Sequence, residues 1–199
     1  MANSTPGPKP PHTRKVSRLP PLPETVDPIM EERFAQQRAR GAEPINLHLV
    51  QGHAPKLSKA KGEFIWSLRN DTKLGRKLLE LAIVRTAYLI DCAYELDHHL
   101  PMIKKVGYSD AQIAAMKDLS GKAGLFDERE QALLGFVDGI CDKGRVDDAT
   151  YGRLSQHFSP QEIVELTFAV TSYWANGMFV KGLGIEVDQP HIKAAEGKI

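Results

Sequence analysis

Cysteine is scarce in this sequence: Cys92 and Cys141 are the only two in 199 residues. That excludes a disulfide framework, and it leaves the hydrophobic core to hold the fold. A chain of this length buries roughly 70% of its unfolded surface on folding, enough to stand without disulfides or a structural metal. An excess of either charge is also missing, since 26 Lys and Arg face 25 Asp and Glu for a net charge of +1. No long block of one sign occurs, which excludes the footprint of a nucleic-acid-binding surface. Long apolar runs are absent too. The best, residues 78–90 and 163–173, are broken by Arg85 and Glu165 and fall short of the roughly 20 residues a membrane helix needs. The N-terminus carries no apolar stretch followed by a small-residue cleavage site, so a cytoplasmic protein is expected.

What is there is ordinary globular composition, with 42% hydrophobic, 26% charged and 7% aromatic residues. Eight of the thirteen prolines fall within the first 28 residues, a stretch with no acidic residue before Glu24. Proline fixes φ and removes amide donors, so residues 1–26 are expected to form an extended arm, with the spaced apolar side chains of 16–24 suited to strapping over a surface. Residues 27–199 form the expected single domain. Asp27-Pro28 and Ser159-Pro160 combine a cap with proline at the first helical position, and Asp127-x-x-Glu130 and Ser159-x-x-Glu162 are capping boxes. Between such signals the apolar residues recur near period 3.6, as with Leu74, Leu78, Leu81, Val84 and Tyr88 in a helix expected over 72–89. A helix from a possible Asp91 cap to Val106 is expected next. No convincing period-two alternation appears, and the fold class is therefore all-α.

The segment that carries chemistry runs from Glu80 to His99. Cys92, Glu95 and His99 are spaced i, i+3, i+7, which on one helix puts their directions within about 60° of each other. Unpaired buried polar groups cost about 1–3 kcal/mol each, so a thiol, a carboxylate and an imidazole on one stripe need a reason. Glu95 and His99, at i, i+4, are placed to hydrogen-bond as a general acid/base pair. The helix N-terminus would favour a Cys92 thiolate while Glu95 opposes it. Each has a plainer reading: Cys92 as a small hydrophobe, Glu95–His99 as a structural pair, and His98, about 100° further round, as a solvent-facing or structural group. Tyr94 points away from Glu95 and is not counted as catalytic. Trp174, in Tyr173-Trp174-Ala175-Asn176, is a candidate substrate contact beside its alternative as core, and His98 is the other candidate contact. Neither HExxH nor CxxC spacing is present, so no metal site and no cofactor are expected.

At these residues the chain resembles the carboxymuconolactone decarboxylase-like superfamily, which includes the alkylhydroperoxidase D-like proteins. The redox members carry Glu-x11-Cys-x2-Cys-x3-His. Here Glu80, Cys92 and His99 stand at those positions, and Glu95 replaces the second cysteine. His53-Ala54-Pro55-Lys56-Leu57, Glu80-Leu81-Ala82-Ile83-Val84-Arg85 and Gly107-Tyr108-Ser109-Asp110 extend the similarity over roughly residues 40–188. The resemblance implies an all-helical domain that assembles into homo-oligomers, often trimers or hexamers, with the motif helix lining a pocket for a small-molecule substrate. It also implies catalytic roles for Glu80, Cys92, Glu95 and His99.

Three functions follow as expectations. The first is a cofactor-free acid/base enzyme that decarboxylates, isomerises or opens the ring of a small organic acid or lactone, with Glu80 orienting His99 and Glu95. The second is a Cys92-dependent peroxide reductase, although the disulfide of the redox members needs the thiol that Glu95 replaces. The third is a non-catalytic oligomeric binding module.

Overall fold

The computed structural model describes residues 17–20, 22–23 and 27–188, and within them every regular element is helical. The rest of the proline-rich arm and residues 189–199 lie outside the described residues. Nine α-helices follow in order: α1 (Pro28–Ala39), α2 (Asn46–Gln51), α3 (Pro55–Asn70), α4 (Arg76–Leu89), α5 (Ala93–Lys105), α6 (Asp110–Ala115), α7 (Glu128–Cys141), α8 (Asp148–His157) and α9 (Pro160–Leu183). The chain has the all-α fold expected from its periodicity. Asp27, Ser109, Asp127, Asp147 and Ser159 each cap the helix that follows them, by accepting a backbone N–H at its start.

Two helix starts differ from the sequence expectation, each for a local reason. The helix expected from residue 72 begins only at Arg76, because Gly75 has φ +78 and turns the chain before it. Asp91 does not cap α5. It adopts φ +50 in the turn after α4, a left-handed conformation that Asp tolerates better than most residues, and Cys92 becomes the N-cap.

The core is built around α4, which is buried on every side from Leu79 to Ala87 and packs against α5, α7 and α9. Each fully buried Leu, Ile or Val here contributes about 1.5–3 kcal/mol. Such a helix has no solvent face on which to put its polar residues, so Glu80 and Arg85 are buried with it and must be paired. Arg85 makes a forked ion pair with Asp138 of α7, at 2.7 and 3.0 Å, and donates to the Met116 carbonyl at 2.6 Å. A second, smaller cluster gathers Ile45, Leu47, Val50, Cys92, Tyr94 and Val180 at the far end of α9.

Residues of the arm that are described lie on this end. The Arg18 amide donates to the Leu183 carbonyl at 2.8 Å, and His53 Nε2 donates to the Pro20 carbonyl at 2.7 Å. No helix among the described residues is long and apolar enough to cross a membrane.

Replacing Arg85 with Met should lower stability by about 2–3 kcal/mol in urea unfolding, because the Met116 carbonyl is left buried without a donor. Asp138→Asn should cost less, since the half-exposed amide still accepts one bond from Arg85.

Candidate functional site

The turn at Asp91 folds α5 back along α4 and brings residues 80 and 99 together. Glu80 Oε2 accepts from His99 Nδ1 at 2.7 Å, and Glu80 Oε1 lies 2.8 Å from Arg76 Nε one turn earlier on α4. Burial pushes the Glu80 carboxyl up, but the His99 ring and the Arg76 guanidinium outweigh it, and the net shift is downward. This carboxylate is held ionised.

His99 presents its other nitrogen to Glu95. Nε2 lies 3.6 Å from Glu95 Oε2, longer than a hydrogen bond, and Glu95 Oε1 is buried with no hydrogen-bond partner. The close partner of His99 is thus Glu80 across the helix pair, and the i, i+4 bond to Glu95 expected from spacing is not made. Burial drives the Glu95 carboxyl above the usual carboxylate range, and the opposing pull of His99, His98, Lys61 and Arg69 does not cancel it. The two carboxylates flanking one imidazole are therefore tuned in opposite directions. The Tyr173 ring of α9 meets the His99 ring edge-on at 5.0 Å and closes the remaining side.

Cys92 is buried against the second cluster. The expected pull of the helix N-terminus loses to burial, which pushes the thiol up. The amides of Glu95 and Tyr94 offset this only in part, and the Glu95 charge adds to it. Gly177 of α9 packs on the same turn, where a Cβ would stand 3.5 Å from Cys92 Cβ and 2.3 Å from Ile90 Cδ1. Cys141 lies elsewhere, beside Thr86 at 3.9 Å.

His98 is buried, not solvent-facing. Its Nε2 donates to Asp188 Oδ2 at 3.0 Å, and the Tyr94 hydroxyl donates to the same oxygen at 2.6 Å. Asp188 Oδ1 accepts from the Asn46 amide at 2.6 Å, so a carboxylate from the end of the described chain ties α2 to α5. Trp174 is 43% exposed and is not brought to this cluster.

Sequence reasoning missed the cavity beside the cluster, of about 360 Å³, between α1, α3 and the start of α2. Arg33, His48, Lys61, Trp66, Arg69 and Asn176 are among its lining residues. Lys61 and Arg69 act on Glu95 through space, and Asn176 lies on α9 one turn after Tyr173. Of the six predicted site residues, Glu80, Glu95 and His99 form one contact group, Cys92 caps the same helix, and His98 belongs to the Asp188 network.

Residues 55–135 match the carboxymuconolactone decarboxylase family. No functionally curated protein matches the chain in sequence. Among solved structures, the alkylhydroperoxidase core of a peroxidase-related protein from Ralstonia eutropha superposes with a TM-score of 0.76 at 18% identity, over 92% of this chain and 97% of that one. A protein of unknown function from Agrobacterium tumefaciens gives 0.63 at 24% identity, over 70% and 96%. A debrominase in complex with 2,3,4-tribromopyrrole, in a cysteine-to-alanine variant, gives 0.73 at 14% identity, over 93% and 97%. These are likenesses of fold.

The opposite tuning of the two carboxylates predicts opposite pH behaviour. Glu80, shifted down, stabilises the fold above the ordinary glutamate pKa of about 4.3, and this is lost as pH falls through its lowered value. Glu80→Gln should therefore unfold about 3 kcal/mol more easily than wild type at pH 7, with the gap closing in acid. Glu95, shifted up, disfavours the fold once it ionises. Glu95→Gln should match wild type in acid and become the more stable protein as pH rises through the raised value. Urea unfolding across a pH series measures both.

Proposed function

The chain belongs to the carboxymuconolactone decarboxylase-like superfamily, which includes the alkylhydroperoxidase D-like proteins, and from the carboxylates flanking His99 we propose that it is an acid/base enzyme acting on a small organic acid or lactone. The observation that carries this reading is one buried imidazole between two buried carboxyls, with Glu80 Oε2 2.7 Å from His99 Nδ1 and Glu95 Oε2 3.6 Å from Nε2, the first carboxyl shifted down by its cations and the second shifted up by burial. Titratable neighbours pushed apart in this way supply a base and an acid at one pH. Glu80 fixes His99 with its Nδ1 protonated, which leaves Nε2 as the lone pair that accepts a proton. Glu95, whose burial favours the protonated form, lies 3.6 Å from that nitrogen and serves as the acid at the carbon or oxygen on which charge develops. Isomerisation needs a proton taken from one carbon and returned to another, decarboxylation needs a proton delivered to the carbon that CO2 leaves, and hydrolytic lactone opening needs a base for the attacking water and an acid for the departing oxygen.

Peroxide reduction by Cys92 is the second reading, favoured by the peroxidase-related neighbours and by the debrominase whose cysteine was replaced. Against it stand a buried thiol shifted upward and a carboxylate where a resolving thiol would sit. The proposal includes self-association. The outer face of α9 leaves Val164, Phe168 and Trp174 exposed, with Phe168 stacked edge-on against Phe64 of α3 at 5.7 Å, and a second copy of the chain would cover this apolar strip.

With carboxymuconolactone and related lactone acids as substrates, Glu95→Gln and His99→Ala should each lower kcat at least a hundredfold, whereas Cys92→Ser keeps most of it. Full turnover in the first two variants would sink the acid/base reading. Loss confined to Cys92→Ser, with peroxide as substrate, would install the second. In sedimentation velocity, wild type should run as an oligomer and Phe168→Glu should shift towards monomer.

A further inference from the structure

The cavity beside the cluster is lined by an unusual set of cations. Lys59 is paired with Glu32 at 3.4 Å, and Arg40 lies over the Trp66 ring at 4.0 Å. Arg33, Lys61 and Arg69 have no carboxylate partner among the described residues. Arg33 donates to the Ser58 hydroxyl, Arg69 contacts the Met102 sulfur at 3.3 Å, and Lys61 lies 5.5 Å from the Phe179 ring. All three are partly buried, and Arg33 and Lys61 feel it: burial lowers Arg33 to about 10 and pulls Lys61 down as well. Glu95 faces Lys61 and Arg69 through space but forms no ion pair with either and does not offset the burial of Lys61, so three half-buried like charges around one space favour the entry of an anion.

A second, independent feature points into the same space. Asn176 lines the cavity, is more than nine-tenths buried, and carries a side-chain carbonyl oxygen with no hydrogen-bond partner. The His48 ring nitrogen Nδ1 on the same lining is likewise unpartnered. A simple inorganic anion would answer the cations and leave the Asn176 oxygen unsatisfied. A ligand that offers both a carboxylate and a hydroxyl donor satisfies the whole set.

We infer that the cavity between α1 and α3 is a binding site for a small hydroxy acid, whose carboxylate is held by Arg33, Lys61 and Arg69 and whose hydroxyl donates to Asn176. Arg33 and Asn176 lie outside residues 55–135, on the flanking helices α1 and α9. The inference rests on the acid/base reading only in taking the ligand to be the substrate. Arg69 and Lys61 line the cavity and also act on Glu95 through space, and so couple ligand charge to the acid of the site.

Only two tryptophans occur in the chain, and Trp66 lines the cavity whereas Trp174 is exposed on α9. In Trp174→Phe, fluorescence therefore reports the cavity alone. Titration at low salt with malate, succinate and the neutral succinamide should give a saturable change with malate, a weaker one with succinate and none with the diamide. Lys61→Gln and Arg69→Gln, checked for native circular dichroism, should each weaken malate binding at least tenfold. Asn176→Ala should erase the advantage of malate over succinate. Raising ionic strength to about 0.5 M should weaken binding in the unsubstituted cavity, a measurement that needs no cavity variant to fold. An equal response to succinamide, no saturable response to malate, or malate binding indifferent to both salt and Lys61→Gln would overturn the inference. Malate binding that survives in Glu95→Gln, with no turnover of any lactone acid by wild type, leaves this site standing and removes the acid/base reading. Lactone turnover with a KM unchanged in Lys61→Gln and Arg69→Gln does the reverse.

Discussion

The short bond between Glu80 and His99 is the constraint on which the rest of the site depends. A carboxylate with no exposed surface, in the middle of a helix buried on every side, is tolerated only because Arg76 and His99 both hold it. That requirement fixes the spacing of α4 and α5 at this level, because a shift of about 1 Å would strand the charge. It also selects the tautomer of His99, and by taking Nδ1 it commits Nε2 to face Glu95. The chemistry proposed for the site is thus a consequence of how the core solves a burial problem.

The two clusters of the core divide the work. The larger one, around α4, α7 and α9, supplies rigidity and carries Arg85 as its internal brace. The smaller one, at the end of α9, places Cys92 and the Asp188 network at the start of α5. Glu95 and His99 sit between them, reached on one side by the Tyr173 ring and on another by the cations of the cavity wall. The proposed proton transfer draws on this combination of a fixed ring, a low local dielectric and cations acting on Glu95 through space.

Much of this was legible in the sequence because it is local. Asp27, Ser109, Asp127, Asp147 and Ser159 announce their helices through side chains that satisfy amides two or three residues away. The spacing of Glu80, Cys92, Glu95 and His99 also survives folding. What was not legible depends on crossings between helices. Helical spacing made Glu95 the natural partner of His99, yet Glu80 wins because the Asp91 turn sets α5 antiparallel beside α4. Trp174 read as a contact because α9 is apolar around its whole circumference, so its pattern does not say which face meets the core. Asp188 and Asn46 gave no signal, being 142 residues apart, and the cavity cations look like ordinary surface charges until α1 and α3 are laid side by side.

The Asp188 contacts bear on the order in which the molecule is completed during synthesis. Tyr94 and His98 leave the ribosome some 90 residues before the carboxylate that accepts from both of them. Until that segment is made, the start of α5 and the first turn of α2 hold a hydroxyl, an imidazole and an amide without their acceptor. A chain that grows from its N-terminus therefore makes α4 and α5 well before α9, which completes the core around α4, and before the Asp188 carboxylate that ties α5 to α2. The helices are local work, whereas the site waits for Tyr173 and Asp188, made long after the helix that carries His99.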